Sequence, residues 1–350
     1  MKLLLAVKYN RFLFLMLAAG SLLLINSCSA PRKSAPVVKA TSVVFYNVEN
    51  LFDTINNQGE RDFEFSPESP KKWNTERYNK KLNDISHVLM DVDTVGEPGL
   101  IGMAEIEDQA VLNDLVRTKR MAPVHYKIIH EESPDYRGID VALLYRPDIF
   151  KEISHTVIGI HFKDDPEYHT RDILYAKLLS GDHDTIHVFV NHWPSRLGGL
   201  EKSQPKRVYI ASVLRAQVDS LEALNPRVKI IIMGDMNDEP ENKSLFEVLK
   251  AIPGTDGTLH SLLYQASMQG KGTYYFRGNW NMLDNLVVSH AMLSAKKGWH
   301  ATPSSGMVFH EKWMEYHNKN GEMAPNRTYG GPNYYGGISD HFPVYFILHR

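Results

Sequence analysis

The chain has 350 residues, 43% of them hydrophobic and 23% charged, with 39 basic against 41 acidic side chains and a single cysteine. That is the composition of an ordinary globular protein with enough apolar material for a large core, which excludes a fibrous or wholly disordered chain. A net charge of −2 gives no general attraction to nucleic acid or anionic membrane, and one cysteine excludes an intramolecular disulfide.

In chain order, residues 1–28 read as a targeting signal. Lys2, Lys8 and Arg11 form a basic start, and residues 12–25 are an apolar run of 14. That is short of the ~20 residues a spanning helix needs, but suits the core of a signal peptide. Ile25-Asn26-Ser27-Cys28 follows and resembles a bacterial lipobox, in which the cysteine is diacylated and becomes the mature N-terminus. Several acyl chains on Cys28 would anchor the protein stably in the cell envelope. Ser29 at the next position and the lack of an acidic run point to the outer membrane, facing the periplasm. The alternative is a free thiol at an ordinary secretory cleavage site. Loss of the signal removes Lys2, Lys8 and Arg11, leaving 36 basic against 41 acidic side chains, near −5. Any polyanion-binding surface must therefore be local. Residues 29–40, with Pro31 and Pro36, read as a tether, and the folded domain is expected over 41–350.

Residues 43–46 form a buried type of strand ending in Asn47, and 55–70 is a polar loop with one Gly and two Pro. Tyr78, Leu82, Ile85, Val88 and Leu89 recur at helical spacing over 77–91. A strand over 99–103 runs into Glu105, and a short helix is expected at 110–117. Strands are predicted at 126–129, 141–145, 157–162, 173–179 and 186–190, the last leading into Asn191-His192-Trp193-Pro194. An amphipathic helix over 207–224 precedes strands at 228–233, 273–276, 283–288 and 344–348. The region 291–337 carries Trp299, Trp313, Tyr316, Tyr329, Tyr334 and Tyr335, and a long loop beside a catalytic strand often forms a functional rim. Its aromatics would stack on bases, pack on lipid or bury the loop itself. Strands alternate with helices, yet several strands are adjacent, which predicts an α/β fold with mixed sheets. The polar residues at strand ends span the whole mature chain, so a single domain is expected, acting as a monomer.

Two strand ends carry the chemistry most plainly. Gly234-Asp235-Met236-Asn237 follows the apolar run Ile230-Ile231-Ile232-Met233, and Ser339-Asp340-His341 opens the last strand. In open α/β sheets ligands bind where strands end. An acid beside a histidine supplies both a metal ligand and a proton-transfer group, as hydrolysis of a phosphate ester requires.

Taken with Phe45-Tyr46-Asn47-Val48-Glu49-Asn50, Met103-Ala104-Glu105, Arg137-Gly138-Ile139-Asp140, Asn191-His192-Trp193 and Thr273-Tyr274 with Asp284, these motifs resemble the endonuclease/exonuclease/phosphatase superfamily over residues 41–350. The resemblance implies a four-layer α/β/β/α sandwich with two mixed β-sheets. It makes Glu105 the principal Mg²⁺ ligand, with Asn47 and Asp340 completing the metal neighbourhood and Mn²⁺ a possible substitute. Oxygen donors of this kind suit a hard cation. It further implies that His341, oriented by Asp284, is the imidazole at the reacting phosphate. His192, paired with Asp140, would hydrogen-bond a phosphate oxygen. Asp235 would orient or deprotonate the attacking water, and Asn237 would donate to the phosphate.

Ala104 stands where better-studied members have Gln before the metal Glu. Arg171 and Arg196 are candidate phosphate contacts. Arg196, Lys202, Lys206 and Arg207 are candidates for one basic wall of a cleft that binds nucleic acid or another phosphodiester. The leading expectation is therefore a metal-dependent nuclease or phosphodiesterase. The alternatives are a phosphomonoesterase acting on inositol, sugar or lipid phosphates, and a non-catalytic surface binding protein that keeps the fold.

Overall fold

Strand β1 (Ala40–Leu51) is buried along nearly its whole length, because both faces of the sheet it belongs to are covered. The computed structural model describes residues 38–55, 63–92, 95–181, 183–254 and 256–350, and 38–350 form one compact unit. The expected signal over 1–28, Cys28 and the tether up to residue 37 lie outside these residues. Among the described residues no helix is long and apolar enough to cross a membrane.

In the first sheet β1 runs parallel to β2 (Leu100–Ile106) and antiparallel to the C-terminal strand Val344–His349. On the other side of β2 lie β4 (Asp140–Tyr145) and then β3 (Lys127–His130), and Met307–Val308 closes the opposite edge. The second sheet has the order β5 (Phe150–Ile158), β6 (Ile173–Ser180), β7 (Thr185–His192) and β8 (Lys229–Asp235). It continues through β13 (Asp284–Ser289) to β10 (Leu259–Ser261) and β9 (Ala251–Ile252). A hairpin of β11 (Tyr274–Phe276) and β12 (Asn279–Asn281) precedes β13. Both sheets are mixed, since β7 and β8 are parallel and their neighbours antiparallel.

Alternation along the strands builds the layers. Val43 and Phe45 point between the sheets, meeting Val188, Val190, Ile231, Met233 and Leu286. Val44 and Tyr46 point outward onto Ile85, Leu89 and Leu112 of α1 (Thr75–Asp91) and α2 (Gln109–Val116). On the far side Phe189, Ile230 and Ile232 pack against Ile210, Leu214 and Val218 of α3 (Leu200–Leu224). Each such fully buried side chain contributes about 1.5–3 kcal/mol relative to exposure. Gly102 allows the sheets to approach closely, because a Cβ there would lie 2.4 Å from Met233 Sδ. The chain is thus a four-layer α/β/β/α sandwich.

Helix starts follow local capping. The Asn74 side chain accepts from Arg77 N, and Asp108 accepts from Ala110 N and Val111 N. Two elements depart from expectation. The strand predicted over 157–162 runs instead from Phe150 to Ile158, at a sheet edge whose Lys151, Ser154 and His155 face solvent. A polar edge strand gives no apolar run to read. Helix α3 starts seven residues earlier than predicted, with Pro205 inside it at the sixth position, where one hydrogen bond of the ladder is given up.

Candidate active site

The two central strands of the first sheet both bulge at the same level. Between the register pairs Asn47–Ala104 and Leu51–Ile106, β1 spends Val48, Glu49 and Asn50 against Glu105 alone. Glu49, Asn50 and Glu105 have φ of 51°, 57° and 63°, a left-handed conformation unusual for such side chains. Strain of this kind, of order 1–3 kcal/mol per residue, collects at functional sites. The bulge brings the Glu105 carboxylate within 3.9 Å of His192 Nε2, at the end of β7.

Asp235 ends β8 and is the hub. Its Oδ1 accepts from Asn237 N at 3.0 Å, and its Oδ2 accepts from Asn47 Nδ2 at 3.0 Å. The same Oδ2 is 3.6 Å from His192 Nε2 and 3.8 Å from His341 Nε2. Gly234 is required beside it, since a Cβ would sit 2.4 Å from Asn191 O on β7. On the other side of His341, Nδ1 lies 2.7 Å from Asp284 Oδ2. Asp340 joins the group through its neighbour, because Ser339 Oγ donates to Asn47 O at 2.7 Å.

Burial acts on all of these groups, and neighbours decide the outcome. Burial alone favours a neutral His341, but Asp284 and Asp235 outweigh it and hold its pKa well above the usual histidine range. For His192 burial prevails, aided by Arg171 and Arg137, and keeps that ring neutral. Burial also raises Asp235 to about 7, with Asp284 adding to the rise and His341 opposing it. One cationic and one neutral histidine therefore flank a carboxylate poised near neutrality, the separation expected of acid and base partners.

Glu105, Asn47 and Asp340 offer only oxygen ligands, the donor set of a hard divalent cation. The crowding of acid points the same way: burial and Asp340 raise Glu49 to about 7. Asp235, Asp284 and His341 also present ligand atoms within 4.8 Å of one another. Since His341 is held as an imidazolium, with no lone pair to give a metal, the oxygen set is the better fit.

Several sequence expectations are corrected. Asp140 does not pair with His192; its Oδ2 is 3.1 Å from His130 Nε2 and its Oδ1 accepts from Ser133 N at 2.7 Å. Asp140 opens β4 beside the end of β3, where His130 pairs with Ala142, so the nearest imidazole is that of His130. The three arginines expected to touch substrate are internal struts. Arg171 is buried, pairs with Asp135 at 2.9 Å and donates to the carbonyls of His192 and Trp193. Arg196 donates to Asn237 O, Asn281 Oδ1 and Asn242 Oδ1. Arg207 is fully buried, with Nε in an ion pair 2.8 Å from Asp238 Oδ1. Lys206 lies 2.9 Å from Asp165 and over the Tyr168 ring. The basic wall is therefore engaged in pairs within the chain, buried for Arg171 and Arg207 and on the surface for Lys206, Lys202 excepted. Asn237 has a φ of 49°, and its amide donates to Trp193 O at 3.0 Å, tying the β8 turn to the strand end of His192. In the 291–337 region the aromatics divide, with Trp313, Tyr316 and Tyr335 exposed and the others packed wholly or partly inward. Trp299 and Tyr329 are buried, Trp313 stacks on His87 at 4.2 Å, and Tyr334 lies under Arg77.

Two cations that the motifs did not single out sit on the metal-side carboxylates. Arg137 Nη2 is 3.2 Å from Glu105 Oε1 and also donates to Asn50 Oδ1. Arg327 pairs with Asp340, and its Nε is 3.8 Å from Glu49 Oε1. Both are partly exposed. Behind them the buried Lys81 donates to Glu49 O, Thr328 Oγ1 and Ile338 O, fastening α1 to the loop that carries Arg327. Arg137 stands within a quoted motif, so its position was readable; Arg327 lies in a loop with no motif.

Two stacked mixed sheets with acid, amide and imidazole groups at their joined strand ends define a class of phosphoester hydrolases. Residues 42–350 match the model of the Endonuclease/Exonuclease/phosphatase family, and the chain belongs to that family. Sequence comparison with curated proteins gives no match. Among solved structures, the chain resembles an endonuclease/exonuclease/phosphatase family protein from Bacteroides thetaiotaomicron, with a TM-score of 0.55 and 16% identity over 88% of this chain and 97% of that one. A mannosyl-6-phosphatase from the same organism gives 0.54 and 16% over 89% and 100%. D. rerio TDP2 complexed with single-strand DNA product gives 0.54 and 13% over 89% and 99%. At such identities the likeness is one of fold.

Proposed function

We propose that this protein is a divalent-metal-dependent phosphoesterase, with Mg²⁺ the natural ion and Mn²⁺ a substitute. The observation that carries the reading is the buried His341 ring held between Asp284 and Asp235, with Glu105 one histidine away. Glu105, Asn47 and Asp340 would hold the ion, which when bound polarises a phosphoryl oxygen and neutralises charge. Asp235 takes the proton of the attacking water. His341, as imidazolium, faces the phosphate, and Asp284 keeps its tautomer and orientation. Neutral His192 offers its Nε2 edge to a phosphate oxygen. Arg137 and Arg327 add positive charge beside the negative charge of the phosphoryl oxygens.

The finer reading is a monoesterase acting on a small organic phosphate. Its support is that Arg171, Arg196, Lys206 and Arg207 are each paired within the chain, so the basic wall expected beside His192 is already engaged. The shared fold includes both a mannosyl-6-phosphatase and TDP2 with a DNA product, so likeness alone does not choose. A second reading, nuclease or phosphodiesterase, is favoured by the β11–β12 hairpin. Tyr274 lies 5.0 Å from the His341 ring, and the half-exposed Phe276 stacks beside Tyr274 under Arg277, a platform on which a base would stack. Steady-state rates on 4-nitrophenyl phosphate and bis(4-nitrophenyl) phosphate decide between them. Faster monoester turnover supports the first; diester cleavage with no monoester turnover replaces it with the second.

The proposal extends to location. Acylated Cys28 would tether the enzyme to the outer membrane facing the periplasm, on the strength of the lipobox-like sequence Ile25-Asn26-Ser27-Cys28.

A further inference from the structure

Beside Glu105, between the end of β1, residues 64–71 and the turn before β4, lies a cavity of about 380 Å³. That is within the roughly 300–1,000 Å³ usual for ligand pockets. Arg137 belongs to both places, since it lines the cavity and stands 3.2 Å from Glu105. A group seated in the cavity is thus one side chain away from the reacting phosphate.

The chemistry of the walls is specific. Phe52 and Phe65 form the floor as a stacked pair, 4.3 Å apart and 6° from parallel, both largely buried. The Lys71 ammonium lies 4.2 Å over the Phe65 ring and 3.3 Å from Glu64 Oε1. An aromatic face already covered by an ammonium offers no stacking platform to a nucleobase. What remains is a ring of donors and acceptors: the Lys71 ammonium, the Glu64 carboxylate, the Asn50 amide, the half-exposed Tyr136 and the Arg137 guanidinium. An adjacent cation and carboxylate match vicinal hydroxyls, one accepting from Lys71 and the next donating to Glu64.

We propose that this cavity is a subsite for the ring hydroxyls of a cyclic polyol, a sugar or an inositol, whose phosphate ester lies at the Glu105 centre. The inference rests on the monoesterase reading above. Its test uses the magnesium-loaded full chain with glucose 6-phosphate, myo-inositol 1-phosphate, adenosine 5′-monophosphate and 4-nitrophenyl phosphate as substrates. Glu64→Gln and Lys71→Met should each lower kcat/KM for a polyol phosphate at least roughly tenfold, mainly through KM, while 4-nitrophenyl phosphate changes by less than about twofold. A loss confined to the glucose or the inositol arm identifies the source of the ring. Glu64 has a side chain 65% exposed, so its variant tests the idea without threatening the fold. Unchanged polyol kinetics in both variants, or preference for the nucleotide, would overturn the subsite. Wild-type turnover of 4-nitrophenyl phosphate without any polyol phosphate overturns it too and leaves the monoesterase reading standing. Loss of all four activities in the wild type would remove both.

Discussion

Asp235 and Asp284 face each other across the β8–β13 pairing, and the ring of His341 lies between their carboxylates. Two acids at one level of adjacent strands would repel one another in a dry site; a cation between them converts that repulsion into attraction. The imidazolium is therefore part of what holds these strand ends together, and Asp235 becomes a base whose affinity for protons is matched to neutral pH.

Activity should follow that arrangement. Asp235 must be ionised to accept a proton, so kcat/KM is expected to rise as pH increases through about 7. His341 must stay protonated, so activity falls again only above its raised pKa, giving a bell with a broad alkaline shoulder. A pH–rate profile checks both limbs, and Asp235→Asn should abolish the acid limb together with most of the rate.

His341 and Asp284 should behave as one unit. His341→Ala is expected to cost about 10²–10⁴ in kcat, and adding Asp284→Asn to it should cost little more. Steady-state kinetics of the two single variants and the double variant measure this directly. Independent, additive losses would mean that Asp284 acts elsewhere than on His341.

Arg207 is predicted to matter for folding rather than for substrate. Its ion pair with Asp238 has both side chains fully buried, so Arg207→Ala leaves the buried carboxylate with only the Ser244 hydroxyl at 2.6 Å and the more distant Arg196 at 3.8 Å. Such a loss typically costs about 3–5 kcal/mol, readable as a lowered denaturant midpoint. KM of the folded fraction should be unchanged.

Cys28→Ser should move the protein from the membrane to the soluble fraction, and mass spectrometry of the mature N-terminus should find an acylated Cys28 in the wild type. An unmodified N-terminus elsewhere would contradict the anchor.

Much of this site was legible because the chemistry sits where apolar runs stop. Asp235 with Asn237 and Asp340 with His341 announce themselves at strand ends, and the burial of β8 on both faces explains its unbroken Lys229–Asp235 run. The arginines were misread because sequence spacing gives nearness to a motif, not the side of the turn on which a long side chain finds its partner. Arg207 lies behind the His192 turn, its partner Asp238 more than thirty residues on. Arg327 was missed for the converse reason. Its partners Asp340 and Glu49 are brought together only by the β1 bulge and by the buried Lys81, neither of which leaves a periodic signal. The edge strand β5 was displaced in the sequence reading because Lys151, Ser154, His155 and Thr156 face solvent and break up any apolar run to count.

The most direct measurement is phosphate release from 4-nitrophenyl phosphate by the purified chain in excess chelator and again after Mg²⁺ is restored, for the wild type and Glu105→Gln. The account predicts no turnover with chelator, full recovery with Mg²⁺ in the wild type, and a much higher Mg²⁺ requirement for Glu105→Gln. Undiminished turnover in chelator, or a Glu105→Gln variant with the wild-type metal requirement, would contradict it.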